Sequence, residues 1–538
     1  MFFRLKRSIR ETPSDNLTNS THDMPAELTW CAVKVMQKKE RKSFQLSFFS
    51  LTLHLILPNA TANNKIRYSM NALTWRERIG YCSGELAENL IYQTVSIWLL
   101  FYYTNVYGFS PSVTAVMFLV VRIIDVLWDP FVGTFVDKAY PRWGKYRSWL
   151  IIGGIPLAGA AVLCFWNGFN SSLLYAYASY ILLSMCFTLT CVPYGALGDS
   201  LTRDVNQLTI LTSVRMLFAN FAGLLIKTLP IIIAVFAPKV LNPETGEMQA
   251  VYDTPEASSA WLITMSIFAI AGLGLLFFCF SQTREKIVMS AKQSASISMK
   301  DMWHELTGNR PMRILSAFFV ITFATMSISN ATDSYFLTYV AKATPFRTSL
   351  FMWLGTIPAF IFIPLVPMIK RRTGKAKLFY LSIGIAIVGM VMMFALSAIP
   401  AMRSQFTLLC VSQFIKSSGI IVATGYMWAL VPEVVTFGEY LTGRRVAAIV
   451  TALICIFMKA GIAIGGVIPG LVLDFVGFLP GNSAQNSFAV QGIIWLVTVI
   501  PALLLFGSAF VIRRYELTDT RMNEINKIVE ERKMKAED

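Results

Sequence analysis

Twelve apolar segments, each of about 20 residues or more, run along this chain: 83–108, 112–136, 149–168, 172–197, 209–237, 257–281, 311–338, 347–369, 377–399, 404–431, 446–477 and 487–512. A helix of that length crosses ~30 Å of hydrocarbon. Backbone groups in lipid must be satisfied within the segment, so these segments read as transmembrane helices, numbered here spans 1 to 12. The sequence predicts an all-α polytopic membrane protein. Only 14% of its 538 residues are charged and 55% are hydrophobic, whereas a soluble domain carries about 25% charge. The breaks are short except at 282–310, which parts six spans from six. That plan predicts two six-helix bundles, 70–281 and 311–513, with a central loop 282–310 and a tail 514–538.

Loop charge sets the orientation. The loops 137–148, 198–208, 370–377 and 432–445 carry 12 Lys or Arg, and those facing the other way carry 4. The positive-inside rule then puts both termini and the central loop in the cytoplasm, in a cell (inner) membrane. The net charge of +16 is thereby referred to topology and anionic lipid, and no nucleic-acid partner is expected.

The halves echo one another. Arg142, Gly144, Lys145 and Arg147 after span 2 recur as Arg372, Gly374, Lys375 and Lys377 after span 8, at a constant offset of 230. Parallel repeats about an axis along the membrane normal produce that pattern.

Residues 1–69 differ, with 11 basic and 5 acidic side chains and one apolar run, Phe44 to Leu57, too short to span. The run imitates a secretory signal, but cleavage after it puts the new terminus outside, against the loop charges. A poorly ordered extension, or an upstream start codon wrongly assigned, is expected, with Met70 as the working start.

Ionisable groups at membrane depth cost at least about 2.5–3.5 kcal/mol and are functional candidates by default. Span 2 holds Arg122, Asp125 and Asp129 at i, i+3 and i+7, on one helical stripe. Two carboxylates against one guanidinium leave a negative charge that a cation or proton could neutralise; the alternative is a structural ion-pair cluster. Span 1 offers Glu85, Glu88, Asn89 and Tyr92, span 5 Arg215 and span 11 Lys459. These charges are expected to converge on one aqueous cavity between the halves. Asp333, Lys416 and Lys227 either join that cavity or snorkel to an interface.

Other chemistries are disfavoured. The eight Cys contain no CxxC pair, and no His lies in an apolar segment, so neither a metal site nor an intramembrane enzyme is expected. Gly144-Lys145 and Gly374-Lys375 lack the context of a phosphate-binding loop. No cofactor is expected beyond a coupling cation.

From about residue 73 to 531 the sequence resembles the glycoside-pentoside-hexuronide:cation symporter family of the major facilitator superfamily, which includes the melibiose and glucuronide carriers. The matching pieces are Phe101-Tyr-Tyr-Thr-Asn-Val-Tyr-Gly108, Arg122-Ile-Ile-Asp125 with Asp129-Pro130, Arg142-Trp-Gly-Lys-Tyr-Arg147, Val192-Pro-Tyr194, Phe437-Gly-Glu-Tyr-Leu-Thr-Gly443 and Lys459-Ala-Gly461. The resemblance implies that Asp125 and Asp129 hold the coupling cation, with a hydroxyl from Thr188, and that Arg215 and Lys459 organise the sugar cavity. It places Asp137, Arg142, Lys145 and Arg147 in a cytoplasmic gating loop.

Three departures bear on substrate and ion. Cys191 stands where the melibiose carrier has an acidic residue, Trp128 where it has Asn, and Glu88-Asn89 where it has a sugar-contacting Lys-Asp pair. Losing two oxygen ligands weakens a Na⁺ site more than a proton site, so H⁺ is the expected coupling ion, with Asp129 or Asp125 as its carrier and Na⁺ at the same pair as the alternative. Glu88, Asn89 and Tyr92 are expected to meet the substrate, with Arg122 balancing charge.

The sequence therefore predicts a symporter, functional as a monomer, that imports a sugar, glycoside or uronide by alternating access. The alternatives are a lipid or lysolipid carrier and a non-transporting sensor on the same fold.

Overall fold

The computed structural model describes residues 73–537, apart from 170–171, 203, 242–247, 287–298, 444–446 and 483. The expectations for residues 1–69 and for Met70 lie outside the described residues.

Span 1 is the helix Trp75–Phe101 continued by a π-turn, Tyr102–Val106. Span 2 is Pro111–Lys138, span 3 Trp149–Ile152 with Gly154–Cys164, and span 4 Leu173–Leu201. Span 5 is Val205–Ile226 with Leu229–Phe236, and span 6 Ser258–Gln282. The second half opens with Arg310–Tyr335 and its π-turn Phe336–Val340 as span 7. Span 8 runs through four short pieces, Pro345–Leu354, Ile357–Phe362, Ile363–Leu365 and Val366–Thr373. Span 9 is Lys375–Ala398, and span 10 is Phe406–Met427, Trp428–Leu430 and Val431–Thr442. Ala447–Phe475 forms span 11, and Ser487–Val497 with Val499–Arg513 forms span 12.

Helix ends leave backbone N–H groups without partners, and side chains supply them where spans begin. Thr74 and Glu77 form a reciprocal capping box, while Ser110, Asn309, Thr344 and Asn486 accept from the first turns of spans 2, 7, 8 and 12. Among the described residues, nine helices are long and apolar enough to cross a membrane by composition alone. Spans 1 to 3 are not among them, span 3 being short.

Three segments expected as loop or tail carry helix. The central loop contains a helix, Met299–Gly308, which holds His304. Span 10 stays helical to Thr442, into the segment taken as a loop. The tail forms a helix, Asp519–Glu537, because Met522, Ile525 and Val529 give it an apolar face that packs on Phe437 and Tyr440.

The repeat is visible in backbone geometry. Gly144 and Gly374 both hold positive φ, +125° and +79°, at equivalent turns of the two halves. Spans 1 and 7 both end in a π-turn, and these turns meet. The Thr104 and Tyr335 hydroxyls are 2.7 Å apart, and Tyr339 donates to Asn105 Oδ1 at 2.5 Å. Gly481 N–H donates to the same oxygen at 3.2 Å. Such contacts join the halves at the end remote from the basic loops. The seam between the two bundles is termed the cleft.

Candidate functional site

Span 2 meets span 11 of the other half at the centre of this cleft. Close approach is possible because Gly470 faces the Pro111 carbonyl at 2.5 Å from an ideal Cβ, leaving no room for a side chain. About three turns further along span 11, Lys459 Nζ lies 3.4 Å from Asp125 Oδ2 and pairs with Asp129 Oδ2. Asp125 is 3% exposed and Asp129 32%. Asp125 Oδ1 accepts from Ser184 Oγ at 2.9 Å and Thr188 Oγ1 at 3.1 Å. Thr188 also lies 3.2 Å from Asp129 Oδ1, so its one proton is shared between the two carboxylates.

Arg122 completes this group. Its guanidinium is 3.9 Å from Asp125, donates to the Tyr92 hydroxyl and lies over the Tyr92 ring. Tyr92 in turn stacks on Phe187, 3.7 Å between centroids. The expected unbalanced negative charge on span 2 is therefore corrected: Lys459 and Arg122 match Asp125 and Asp129 one for one.

A second group sits on spans 1 and 5. Arg215 Nε lies 3.3 Å from Glu85 Oε2. Asn89 Nδ2 donates to the Glu85 carbonyl at 2.7 Å and to its carboxylate at 3.1 Å, leaving the Asn89 oxygen as the part of that side chain not spent on its own helix. Glu88 is 4% exposed, lies against Cys191 and has one oxygen, Oε1, without a hydrogen-bond partner.

The single cavity expected from the sequence is corrected in part. Spans 1, 2, 5 and 11 do bring Glu85, Glu88, Arg122, Asp125, Asp129, Arg215 and Lys459 to the cleft. Asp333, Lys416 and Lys227 form a separate centre on spans 5, 7 and 10, where Lys416 and Asp333 are 3.4 Å apart. They neither join the first group nor reach an interface.

The basic loop after span 2 is a folded turn. Lys145 pairs with Asp137 at 3.8 Å, and the Glu285 carboxylate accepts backbone N–H groups of Lys145, Tyr146 and Arg147 at 3.0, 2.7 and 2.9 Å. Arg147 donates to the Thr283 carbonyl at 2.9 Å. Arg142 lies on the same loop. In the second half Lys375 reaches Glu433 at 2.7 Å and Asp519 at 3.2 Å, so Lys145 and Lys375 play matching parts.

Two residues here escaped the sequence reading. Ser184 stands four before Thr188, on the same helical stripe, and that spacing could have found it. Glu285 is one acid among several in the loop, and nothing in its sequence context marks it.

Comparison with known proteins agrees with this architecture. A family model described as MFS/sugar transport protein matches residues 80–519. The uncharacterized symporter YnaJ of Bacillus subtilis is 39% identical over 85% of this chain and 95% of its own. The glucuronide carrier protein homolog of Escherichia coli is 31% identical over 86% of this chain and 96% of its own. The isoprimeverose transporter of Lactiplantibacillus pentosus is 27% identical over 79% of this chain and 85% of its own. Among solved structures, a D-xylose-proton symporter superposes with a TM-score of 0.55 at 14% identity, over 80% of this chain and 97% of that one. That likeness speaks for the fold.

Proposed function

The chain belongs to the glycoside-pentoside-hexuronide:cation symporter family, a group of multi-pass membrane transporters and not of enzymes, and from this premise we propose that it imports a sugar, glycoside or uronide together with H⁺. Relatives named as a glucuronide carrier and an isoprimeverose transporter support the substrate class. The excess of basic residues on one set of loops supports cytoplasmic termini.

The observation that carries the mechanism is Lys459, an ammonium from one bundle resting on two carboxylates of the other. Asp125 is contacted by Arg122, Lys459 and two hydroxyls. Asp129 has Lys459 and a share of one hydroxyl, and faces the cleft. A proton taken by Asp129 removes the charge that holds Lys459. The freed ammonium then turns to sugar hydroxyls beside Glu88, Asn89, Tyr92 and Arg215, and the occluded state no longer buries two anions. Ion and sugar each favour that state, which is the coupling.

A proton is preferred to Na⁺ because it needs one lone pair on one carboxylate. A metal ion needs several oxygens around it, and the Lys459 ammonium lies among those that Asp125, Asp129, Ser184 and Thr188 provide. The lipid-carrier alternative requires an apolar lateral cavity, and the charged side chains gathered from spans 1, 2, 5 and 11 argue against it.

Vesicle uptake and counterflow with pH and Na⁺ varied separately test this reading. Accumulation is expected to collapse with a protonophore, and Asp129→Asn to abolish accumulation while retaining exchange. Na⁺-stimulated uptake indifferent to a protonophore refutes H⁺ coupling, and full accumulation by Asp129→Asn refutes the carrier assignment.

A further inference from the structure

Where spans 5, 7, 8 and 10 meet, a second charged centre holds more cations than anions. Lys416 Nζ is 3.4 Å from Asp333 Oδ1, the two side chains being 1% and 9% exposed. Gln413 Nε2 donates to Asp333 Oδ2 at 3.1 Å. Lys227, from the other bundle, donates to Thr356 Oγ1 at 2.6 Å and lies within electrostatic reach of both Asp333 and Lys416. Among the described residues Lys227 makes no ion pair, so two ammonium groups share one carboxylate.

An unbalanced cation at membrane depth costs at least about 2.5–3.5 kcal/mol, which a fold without a use for it does not carry. Gln413 Oε1 is buried there without a donor. The backbone of span 8 runs close by, an added Cβ at Gly355 meeting Gln413 Nε2 at 2.8 Å. The centre thus presents positive charge and a vacant acceptor side by side.

We propose that this centre is a binding subsite for an acidic group on the transported sugar, a carboxylate or sulfonate received between Lys227 and Lys416, with Gln413 Oε1 accepting from a neighbouring hydroxyl. The proposal rests on the sugar-transport reading and adds the substrate's charge to it. Before a proton binds, the Asp125–Asp129 group has no positive charge to spare, since its two cations are matched, and Arg215 is matched by Glu85. Among the described charges of these groups, Lys227 and Lys416 are where an anion restores neutrality without prior protonation of a carboxylate. Lys227 belongs to the first bundle and Lys416 to the second, so an anion held by both draws the bundles together and favours the occluded state.

The test uses the full-length protein in proteoliposomes, with counterflow of methyl β-D-glucuronide, methyl sulfoquinovoside and methyl β-D-glucoside. Thermal stabilisation by glucuronate at fixed ionic strength is read alongside. The wild type is expected to prefer an acidic glycoside by about tenfold or more in kcat/KM, the scale of one charged hydrogen bond. Lys227→Gln is expected to remove most of that preference through KM. The two acidic arms separate carboxylate from sulfonate. Wild-type preference for the glucoside, or an unchanged ratio in Lys227→Gln, overturns the subsite. Parallel loss of all three substrates, restored by Lys227→Arg, also overturns it and leaves Lys227 as a contact between bundles. If no glycoside moves while glucuronate stabilises the wild type and not Lys227→Gln, the transport reading falls and the anion subsite stands.

Discussion

Lys459 of span 11 rests its ammonium on the carboxylate of Asp129 of span 2, joining residues 330 apart and the two halves of the molecule. Removing one member leaves the other charged in a poorly solvated cleft, which costs more than the pair itself contributes.

Asp129→Asn and Lys459→Gln are each expected to lower the unfolding temperature in detergent, and the double variant to recover part of the loss. The coupling from the double-mutant cycle should lie at about 0.5–3 kcal/mol. Additive effects would deny that the pair exists in the membrane protein.

Ser184 donates to a nearly buried carboxylate, a bond to charge of about 1.5–3 kcal/mol. Ser184→Ala should therefore shift the proton concentration that half-saturates uptake. Ser179→Ala serves as control, because Ser179 bonds a carbonyl of its own helix, Ala176, at 3.1 Å. Equal behaviour of the two variants would remove Ser184 from the ion site.

Gly144 and Gly374 occupy left-handed backbone that an L side chain resists at about 1–3 kcal/mol. At Gly144 an added Cβ also meets Arg147 Cγ at 2.7 Å and Glu285 Oε1 at 2.9 Å, whereas Gly374 has open space. Thermal unfolding should show both alanine variants destabilised and Gly144→Ala the more so. The reverse order would place Glu285 elsewhere than on this turn.

Asp519 opens the tail helix beside Lys370 and Lys375. Slight burial opposes its ionisation, but hydrogen bonds from the two lysines outweigh that and hold its carboxyl below the usual aspartate range. A lowered value in the docked state means that the contact is fully present above the free carboxylate's pKa of about 3.9 and is lost as pH falls through the lowered value. The protection of 519–537 against hydrogen exchange, taken relative to the intrinsic rate at each pH, should be constant above about pH 4 and fall below it, with Asp519→Asn less protected already at neutral pH. Protection independent of both pH and this substitution would detach the helix from the lysines.

Much of the site could be read from spacing. Arg122, Asp125 and Asp129 share a stripe because the helical period puts them there, and charge in an apolar helix marks itself by its cost. The partners of those charges were hidden. That Lys459 lands on Asp125 and Asp129, while Lys416 lands on Asp333, depends on which spans adjoin across the cleft. Asn89 is expected from the sequence to meet the substrate, yet its nitrogen is committed to Glu85 within about one turn of the same helix.

What the amino-acid sequence determined by itself was everything set by local or summed properties: twelve crossings, the repeat, and which helices bear charge. Each follows from lipid refusing charge and unpaired backbone, a constraint that acts on every segment separately. Tertiary structure alone decided how the charges are shared out among the described residues, as paired groups at Asp125–Asp129–Arg122–Lys459 and Glu85–Arg215, a buried carboxyl without an ion pair at Glu88, and a positive surplus at Lys227–Lys416–Asp333. Charge balance in a low-dielectric cleft depends on distances of a few ångströms between different helices, and no sequence spacing encodes those.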